Sequence, residues 1–337
     1  MRAPFVSGRG SVGTRELLLV ELEGRDGQVG YGEAAPLESY DGVSTQDACA
    51  ALEDCRPVLA GADRAPHAEL LAACARVAVL PQAVAAIDLA LWDLEGRRSA
   101  QPVWRCLHAL APGSIAVNWT IASGDRAGAA REAAAARAAG FGTVKAKVAI
   151  GDDAGRLAAV RAVAGPEMAI RIDANGAWSL DEAIPALRAL APVGIELCEE
   201  PVSGLGAIRA CSTSTEIPLA LDESAAAPGW ASSRACDLIC LKIARCGGIS
   251  GVIDAARRAR AAGYEVYLAS TLDGPLGIAA ALHAAAVLAP QRPCGLATLG
   301  MFDRPDDPLP PTHGRIAVPG GPGLGNGLLA WYDAFRR

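Results

Sequence analysis

The stretch MAIRIDANGAWSLDEAIPALRALAPVGIELCEEP, residues 168–201, decides the fold. It begins with a short apolar strand, continues through a helix-forming segment and ends with a second short strand. An acidic residue ends each strand, Asp173 the first and Glu199 the second. Because parallel strands need a crossover of about a dozen residues or more, a strand, a helix and a strand of this length predict a parallel βαβ unit.

The same unit repeats on both sides of this stretch, with Ala-rich helix-forming segments between short apolar strands. The strands are IAVNWTI (115–121), TVKAKVA (143–149), MAIRIDA (168–174), GIELCEE (194–200), IPLALDE (217–223), DLICLKI (237–243), EVYLAS (265–270) and CGLATL (294–299). Eight strands that alternate with helices over about 190 residues predict an α/β barrel of the TIM type. A doubly wound open sheet is the alternative.

The beginning of the chain has a different rhythm. The segment TRELLLVELEGRDGQVGYGEAAP, residues 14–36, predicts a β-hairpin with its turn at Asp26 and Gly27. Apolar residues at three- and four-residue spacing then predict a helix over 82–95. Residues 8–13 match a Gly-x-Gly-x-x-Gly nucleotide motif, but a strand follows instead of a helix, so we interpret them as a flexible loop.

This change in the pattern of strands and helices predicts the domain organisation. Residues 1–110 are expected to form a small α+β domain and residues 111–309 the barrel. The tail 310–337 is Gly-rich and then aromatic, and we expect it to pack back on the first domain.

Composition excludes several classes of protein. The chain has 337 residues and a formal net charge of −6, from 37 acidic and 31 basic residues, so there is no excess of cations to bind nucleic acid or an anionic membrane. No apolar run reaches the roughly 18 residues of a membrane span, and a cytoplasmic protein is expected. The ten cysteines form no Cys-x-x-Cys pair and are expected to be reduced core residues.

Charged residues end five consecutive strands, where barrel enzymes carry their catalytic side chains. The acidic ones are Asp173, Glu199 and Asp222, and the basic ones are Lys145, Lys147 and Lys242. Three carboxylates at one mouth repel one another unless a cation lies among them. Oxygen ligands favour a hard ion, so the sequence predicts a Mg²⁺ site.

The lysines flank this centre. Lys145 and Lys147 are two residues apart on a strand, so both side chains point into the barrel, and Lys242 approaches from the opposite wall. A buried ammonium beside a second cation has a lowered pKa, which would make it a general base near neutral pH. Glu200 and Glu223 are interpreted as supporting or surface groups.

Together these residues resemble the muconate-lactonising subgroup of the enolase superfamily. The motifs are Lys145-Ala-Lys147, Asp173-Ala-Asn175, Glu199-Glu200-Pro201, Asp222-Glu223-Ser224, Lys242 with Arg245-x-Gly247-Gly248, Gly32-Glu33-Ala34-Ala35-Pro36 and Ala90-Leu91-Trp92-Asp93-Leu94. The resemblance implies an α+β capping domain over a (β/α)7β barrel that acts on a small-molecule carboxylate. It implies Asp173, Glu199 and Asp222 as ligands of Mg²⁺, with Mn²⁺ as a substitute. It also implies Lys147 and Lys242 as the acid and base on opposite faces of the substrate, with Lys145 beside the base.

Within the subgroup, the end of the barrel most resembles the o-succinylbenzoate synthases of menaquinone synthesis. The similar residues are Ser270-Thr271-Leu272-Asp273, Leu276-Gly277 and Gly295-Leu296-Ala297-Thr298-Leu299. This resemblance implies dehydration of 2-succinyl-6-hydroxy-2,4-cyclohexadiene-1-carboxylate to 2-succinylbenzoate through an enediolate. The residues expected to bind the substrate are Asn175, Ser270, Thr271 and Gly295.

Several alternatives remain open at this point. The same constellation serves dipeptide epimerases, N-acylamino acid racemases and cycloisomerases, and a catalytically silent ligand-binding barrel is the alternative of another class. Dipeptide epimerases of the subgroup generally carry an Asp-x-Asp pair at the end of strand eight, where this chain has no carboxylate before Asp303. A homo-oligomer is compatible with the sequence.

Overall fold

The computed structural model describes residues 1–7, 10–60, 63, 65–108, 110, 113–304 and 306–333. These residues form an α+β capping domain followed by a parallel TIM-like barrel, which confirms the predicted fold class. No helix among the described residues is both long enough and apolar enough to cross a membrane.

The capping domain consists of two hairpins and a group of helices. Its strands are β1 (Phe5–Ser7), β2 (Gly10–Val12), β3 (Leu18–Glu23) and β4 (Val29–Ala34), and its helices are α1 (Glu38–Asp41), α2 (Thr45–Leu59), α3 (His67–Val77), α4 (Pro81–Arg98) and α5 (Val103–Cys106). The predicted hairpin is the antiparallel pair β3 and β4. Helix α4 packs directly on β4, since a Cβ at Gly32 would lie only 1.9 Å from the carbonyl oxygen of Ala86.

The first hairpin differs from the expectation of a loop over residues 8–13. Strands β1 and β2 pair antiparallel, with Phe5 opposite Val12. Alternating backbone hydrogen bonds therefore order Gly10–Val12, while Gly8 and Arg9 lie outside the described residues.

The barrel sheet contains seven parallel strands in chain order. After β5 (Ser114–Ala116) they are β6 (Trp119–Ile121), β7 (Thr143–Lys147), β8 (Ala169–Asp173), β9 (Ile195–Glu199), β10 (Leu219–Leu221), β11 (Leu238–Leu241) and β12 (Glu265–Leu268). The predicted eighth strand is reduced to Cys294 and Gly295. These two residues close the barrel, because Asn118 N donates to Cys294 O at 3.0 Å and Gly295 N donates to Leu268 O at 2.8 Å.

Helices surround this sheet. They are α6 (Arg126–Ala138), α7 (Asp153–Ala164), α8 (Leu180–Leu190), α9 (Leu205–Ser212), α10 (Trp230–Ser233), α11 (Ile243–Cys246), α12 (Gly248–Ala261) and α13 (Pro275–Leu288). Short polar residues begin several of them. The Ser179 hydroxyl, for example, accepts from the backbone N–H of Glu182, and the backbone N–H of Ser179 donates to the Glu182 carboxylate. This reciprocal pair is a capping box.

The C-terminal segment contains β13 (Arg315–Ala317) and α14 (Ala330–Asp333) and contacts both parts of the molecule. Strand β13 pairs with β5 outside the barrel sheet. Further on, Leu324 N donates to Asp93 Oδ1 of α4 at 2.7 Å, and the hydroxyl of Tyr332 donates to Glu33 of β4. These contacts are compatible with the tail packing on the capping domain, and the boundaries near residues 110 and 309 stay predictions.

Candidate active site

A cavity lies at the carboxyl end of the barrel, beneath the capping domain. It contains about 740 Å³ of empty space, part of which is open solvent. Barrel residues that line it are Lys145, Lys147, Asp173, Asn175, Lys242, Ser270, Thr271, Gly295 and Thr298. The capping domain contributes Phe5 and Val12 from the first hairpin and Tyr40 from α1. All four residues expected to bind substrate therefore lie at this cavity.

One wall carries the two lysines of β7. Lys147 Nζ lies 2.7 Å from Asp173 Oδ2 and 2.7 Å from Asn175 Oδ1. Lys145 Nζ lies 2.9 Å from Asp173 Oδ2 and also pairs with Glu199. The two ammonium groups thus share the carboxylate of Asp173, as expected for residues two apart on a strand.

Lys242 approaches from the other side. Its Nζ lies 2.6 Å from both oxygens of Asp222 and 2.5 Å from the hydroxyl of Tyr40. The ring of Tyr40 is 4.2 Å from the same Nζ, measured to its centroid. A residue of the capping domain therefore contacts a predicted acid–base lysine directly.

The carboxylates determine the protonation of this site. Burial lowers the pKa of Lys145, but Asp173 and Glu199 raise it by more, so the pKa lies above its ordinary value. Burial likewise lowers the pKa of Lys242, and Asp222 outweighs that effect. The expectation that a neighbouring cation lowers the lysine pKa is therefore wrong for Lys145, because the carboxylates of Asp173 and Glu199 outweigh burial and the adjacent ammonium.

The lysines act on the carboxylates in the opposite direction. Burial raises the pKa of Asp173, but Lys145 and Lys147 lower it well below its ordinary value. Burial also raises the pKa of Asp222, and Lys242 brings the net value below the ordinary one. Both carboxylates are therefore ionised, which is the form that binds a metal.

The donor set fits a hard cation. Asp173, Glu199 and Asp222 are almost fully buried, and each ends or follows one of three adjacent strands. Atoms of Glu199, Asp222 and Cys240 lie within 4.8 Å of one another, while Asp173 is outside this group and is joined to Glu199 through Lys145, which contacts both carboxylates. Burial raises the pKa of the Cys240 thiol well above its usual value, so the sulfur stays protonated and only the oxygens suit Mg²⁺.

Glu200 is buried, which favours the supporting role over the surface position among the two that the sequence left open. Its carboxylate accepts hydrogen bonds from Asp222 N at 2.8 Å and Ser224 N at 3.0 Å. These bonds fix the backbone that follows β10, because the carboxylate bridges two amides on either side of the turn. Glu200 therefore positions Asp222.

Asn175, which is expected to bind substrate, also makes hydrogen bonds that connect several residues of the site. It has a left-handed backbone (φ 49°), and its backbone N–H donates to Asp173 Oδ1 at 2.9 Å. This bond matches the turn cap that its position after a strand suggests. Its side-chain oxygen accepts from Lys147, while its Nδ2 donates to Glu223 Oε1 at 3.1 Å. The side chain thus links Lys147, the predicted base, to the segment that follows β10.

Tyr40 was missed at the sequence level, and so was the role of the first hairpin. Tyr40 is 182 residues from Asp222, to which its hydroxyl donates at 2.6 Å. Burial raises its pKa well above the ordinary value, with a further contribution from Asp222, so the hydroxyl keeps its proton. The sequence feature that could have indicated Tyr40 is its position shortly after the Gly-Glu-Ala-Ala-Pro motif. Arg245, quoted in a motif without a role, donates to the same hydroxyl at 3.0 Å.

Comparison with known proteins identifies the family. Residues 1–107 match the model "Mandelate racemase / muconate lactonizing enzyme, N-terminal domain", and residues 128–329 match "Enolase C-terminal domain-like". The chain belongs to the mandelate racemase/muconate lactonizing enzyme group of the enolase superfamily. The resemblance seen in the sequence is thereby confirmed at the level of the subgroup.

Relatives within this group have different activities. The chain is 31% identical to L-Ala-D/L-Glu epimerase of Bacillus subtilis over 296 residues, 84% of this chain and 81% of the relative. It is 35% identical to o-succinylbenzoate synthase of Thermobifida fusca over 218 residues, 61% of this chain and 67% of the relative. Membership of the enolase superfamily therefore establishes an enzyme class, while the reaction differs among relatives.

A solved relative shows the fold with metal and substrate. The dipeptide epimerase of Cytophaga hutchinsonii, complexed with Mg and D-Ala-L-Val, superposes with a TM-score of 0.88 at 26% identity. The superposition covers 97% of this chain and 94% of that one. This enolase-superfamily member thus has the complete architecture of a relative that binds Mg and a small carboxylate.

Proposed function

We propose that this enzyme removes the proton next to a substrate carboxylate and adds a proton to the opposite face of the same carbon, as a racemase or epimerase does. Lys147 and Lys242 act as the acid and base, and Lys145 lies beside Lys147. Asp173, Glu199 and Asp222 hold Mg²⁺. The observation that carries the proposal is the presence of Lys147 and Lys242 on opposite walls of one cavity.

Two lysines on opposite walls support proton transfer at both faces of one carbon. One lysine takes the proton, and the other delivers a proton from the opposite side, which inverts the centre. Lys147 and Lys242 contact different carboxylates and different neutral oxygens, so the two groups are held by separate partners. Mg²⁺, when bound, supplies stabilisation of the negative charge that develops on the substrate carboxylate.

The cavity favours a substrate without a free ammonium. Among its described lining residues, Asp173 is the only carboxylate, and it is paired with lysines. An ammonium at the end of the barrel would face Gly295 and the hydroxyls of Ser270 and Thr298, which bond to each other at 2.8 Å. An unpaired buried charge costs several kcal/mol. An N-acylated amino acid meets this requirement.

A second candidate is formation of 2-succinylbenzoate. It is supported by the identity to the Thermobifida fusca synthase and by the same lack of an ammonium partner. In this reaction Lys147 removes the proton and then protonates the departing hydroxyl, and the charge of Lys242 stabilises the enediolate. The proton taken from the carbon thus leaves with the hydroxyl as water, and both steps use Lys147 on one face of the substrate.

One panel of assays separates the candidates. The purified protein with Mg²⁺ is tested on N-acylamino acid enantiomers, on the cyclohexadiene substrate of the synthase and on dipeptides, and kcat/KM is compared. The proposal expects racemisation of the N-acylamino acids and loss of activity in both Lys147→Ala and Lys242→Ala. A higher kcat/KM for the cyclohexadiene carboxylate would favour the second candidate, and a higher value for any dipeptide would contradict the argument from the missing carboxylate.

A further inference from the structure

The lysines on the two walls are held in matching ways. Each Nζ contacts one carboxylate and one neutral oxygen. The partners are Asp173 and Asn175 for Lys147, and Asp222 and Tyr40 for Lys242. The neutral oxygens come from different elements, an amide that follows β8 and a phenol of the capping helix α1.

The two kinds of partner differ once a metal is bound. Both carboxylates are proposed ligands of Mg²⁺, and a dication competes with an ammonium for the same oxygens. The two cations also repel each other at short range. The neutral oxygen is therefore the contact that stays with each lysine.

The hydroxyl of Tyr40 is well fixed for this purpose. A phenol has one proton and two lone pairs. Here the proton goes to Asp222 at 2.6 Å, and the oxygen accepts from Lys242 at 2.5 Å and from Arg245 at 3.0 Å. The guanidinium of Arg245 is itself tied to the carbonyl of Glu223 at 3.1 Å. With its hydrogen-bonding capacity filled, the hydroxyl has one preferred orientation.

The capping domain holds the helix that carries Tyr40. The neighbouring Asp41 accepts from the amide of Val43 at 3.0 Å and from Gln82 Nε2 of α4 at 2.7 Å. Helix α4 in turn packs on β4. The position of the phenol therefore depends on α4 and β4 of the capping domain.

We propose that Tyr40 is a positioning residue whose hydroxyl holds the ammonium of Lys242 at its wall of the cavity while Mg²⁺ occupies Asp222. This inference deepens the proposed function and rests on it. Its consequence is specific to one face of the substrate. Removing the hydroxyl slows proton transfer at the Lys242 face, while the Lys147 face keeps its contact with Asn175.

The test is deuterium exchange measured separately on each enantiomer. N-acetyl-L-methionine and N-acetyl-D-methionine are incubated in deuterated buffer with Mg²⁺, and label at the α-carbon is followed by NMR. Lys242→Ala first identifies the enantiomer whose proton faces that lysine. In Tyr40→Phe, exchange of that enantiomer should fall about ten- to a hundredfold, the range for a displaced reacting group, while the other changes less than about twofold.

Two variants serve as controls. Asn175→Ala removes the neutral oxygen beside Lys147 and should give the mirror result, a loss at the Lys147 face. Tyr31→Phe removes a phenol hydroxyl from β4 of the same domain and should leave both faces unchanged. An equal loss at both faces in Tyr40→Phe would show general support of the site, and no loss at either face would show that the hydroxyl is not needed. Both results overturn the proposal.

Failure of the proposed function gives a different result. If the parent protein exchanges neither enantiomer, racemisation of this substrate class is refuted, and the position of the lysine is then measured without turnover. A crystal structure with Mg²⁺ bound should show Lys242 Nζ within about 3 Å of the Tyr40 hydroxyl. The Tyr40→Phe structure should show Nζ displaced. A parent Nζ directed away from Tyr40 overturns the proposal.

Discussion

Glu33 makes the stability of this protein depend on pH near neutrality. It lies on β4, is 3% exposed, and accepts from Gly274 N at 2.8 Å and from the hydroxyl of Tyr332. Burial raises its pKa, and the nearby carboxylate of Asp273 raises it further. The two hydrogen bonds and Arg15 act in the opposite direction, and the resulting pKa is about 7. Ionisation of Glu33 is therefore unfavourable in the folded state.

The sign of the effect follows from comparing the folded and unfolded chains. The pKa of Glu33 is raised from 4.5 to about 7. The folded state thus binds the proton more tightly, and its stabilisation is complete below the unfolded pKa and is lost as pH rises through about 7. A shift of this size corresponds to about 3 kcal/mol in all, of which about 2 to 3 kcal/mol falls between about pH 5 and pH 8.

The substitution Glu33→Gln removes this titration. Any hydrogen bond lost with the carboxylate shifts the unfolding free energy by a constant amount, whereas the titration shifts it with pH. The difference in unfolding free energy, variant minus parent, should therefore rise by about 2 to 3 kcal/mol from about pH 5 to pH 8. Relief of the buried Asp273, whose pKa burial also raises, acts in the same direction.

Urea unfolding at a series of pH values measures this difference. Glu23→Gln, an exposed carboxylate on the adjacent strand β3, is the matched control and should give a curve parallel to that of the parent. A variant-minus-parent difference that stays flat across the range, or that falls with pH, would refute the reasoning that Glu33 is held protonated by burial.

Three further predictions concern the site and its supports. Asp222→Asn should weaken Mg²⁺ binding by about tenfold or more and abolish turnover, measured by titration calorimetry and activity; unchanged affinity would contradict the ligand assignment. Tyr332→Phe removes the donor to Glu33 and should cost about 1 to 3 kcal/mol of unfolding free energy, with a larger cost above about pH 7, because that hydrogen bond lowers the pKa of Glu33. Arg15 donates to the carbonyls of Leu272 at 3.2 Å and Ala35 at 2.7 Å, so Arg15→Lys should speed amide hydrogen exchange in Glu38–Asp41, the helix that follows this segment, and raise KM; exchange at the parental rate would show that Arg15 does not hold the segment after β4.

The barrel and its charged centre could be predicted because they depend on local patterns. Strand and helix periodicity is visible within one βαβ unit, and parallel strands place their carboxyl ends at the same edge. Asp173, Glu199 and Asp222 therefore had to lie together once the strands were assigned. In the structure Asp173 lines the cavity, Glu199 contacts Lys145 and Asp222 contacts Lys242, two lysines that line the same cavity.

Contacts between distant segments could not be predicted in this way. Tyr40 meets Lys242 across 202 residues of chain, and no periodicity relates a four-residue helix to a strand end so far away. The eighth strand, which closes the barrel, is shorter than its sequence predicts for a related reason. Apolar residues after Gly295 suggest a strand, but Thr298 N bonds to Leu296 O at 2.9 Å and turns the chain away from the sheet.

The charges at the cavity account for the combination of lysines and Mg²⁺ in the proposed reaction. Three carboxylates, Asp173, Glu199 and Asp222, face three ammonium groups, Lys145, Lys147 and Lys242, so the centre without metal is neutral. With Mg²⁺ bound and one lysine deprotonated as the base, the centre carries one positive charge, which a monoanionic carboxylate substrate neutralises. Proton transfer then makes the substrate a dianion and the centre doubly positive, and the complex stays neutral throughout. Since opposite charges attract more strongly after the transfer than before it, the proposed arrangement of lysines and Mg²⁺ would stabilise the reacting state more than the bound substrate.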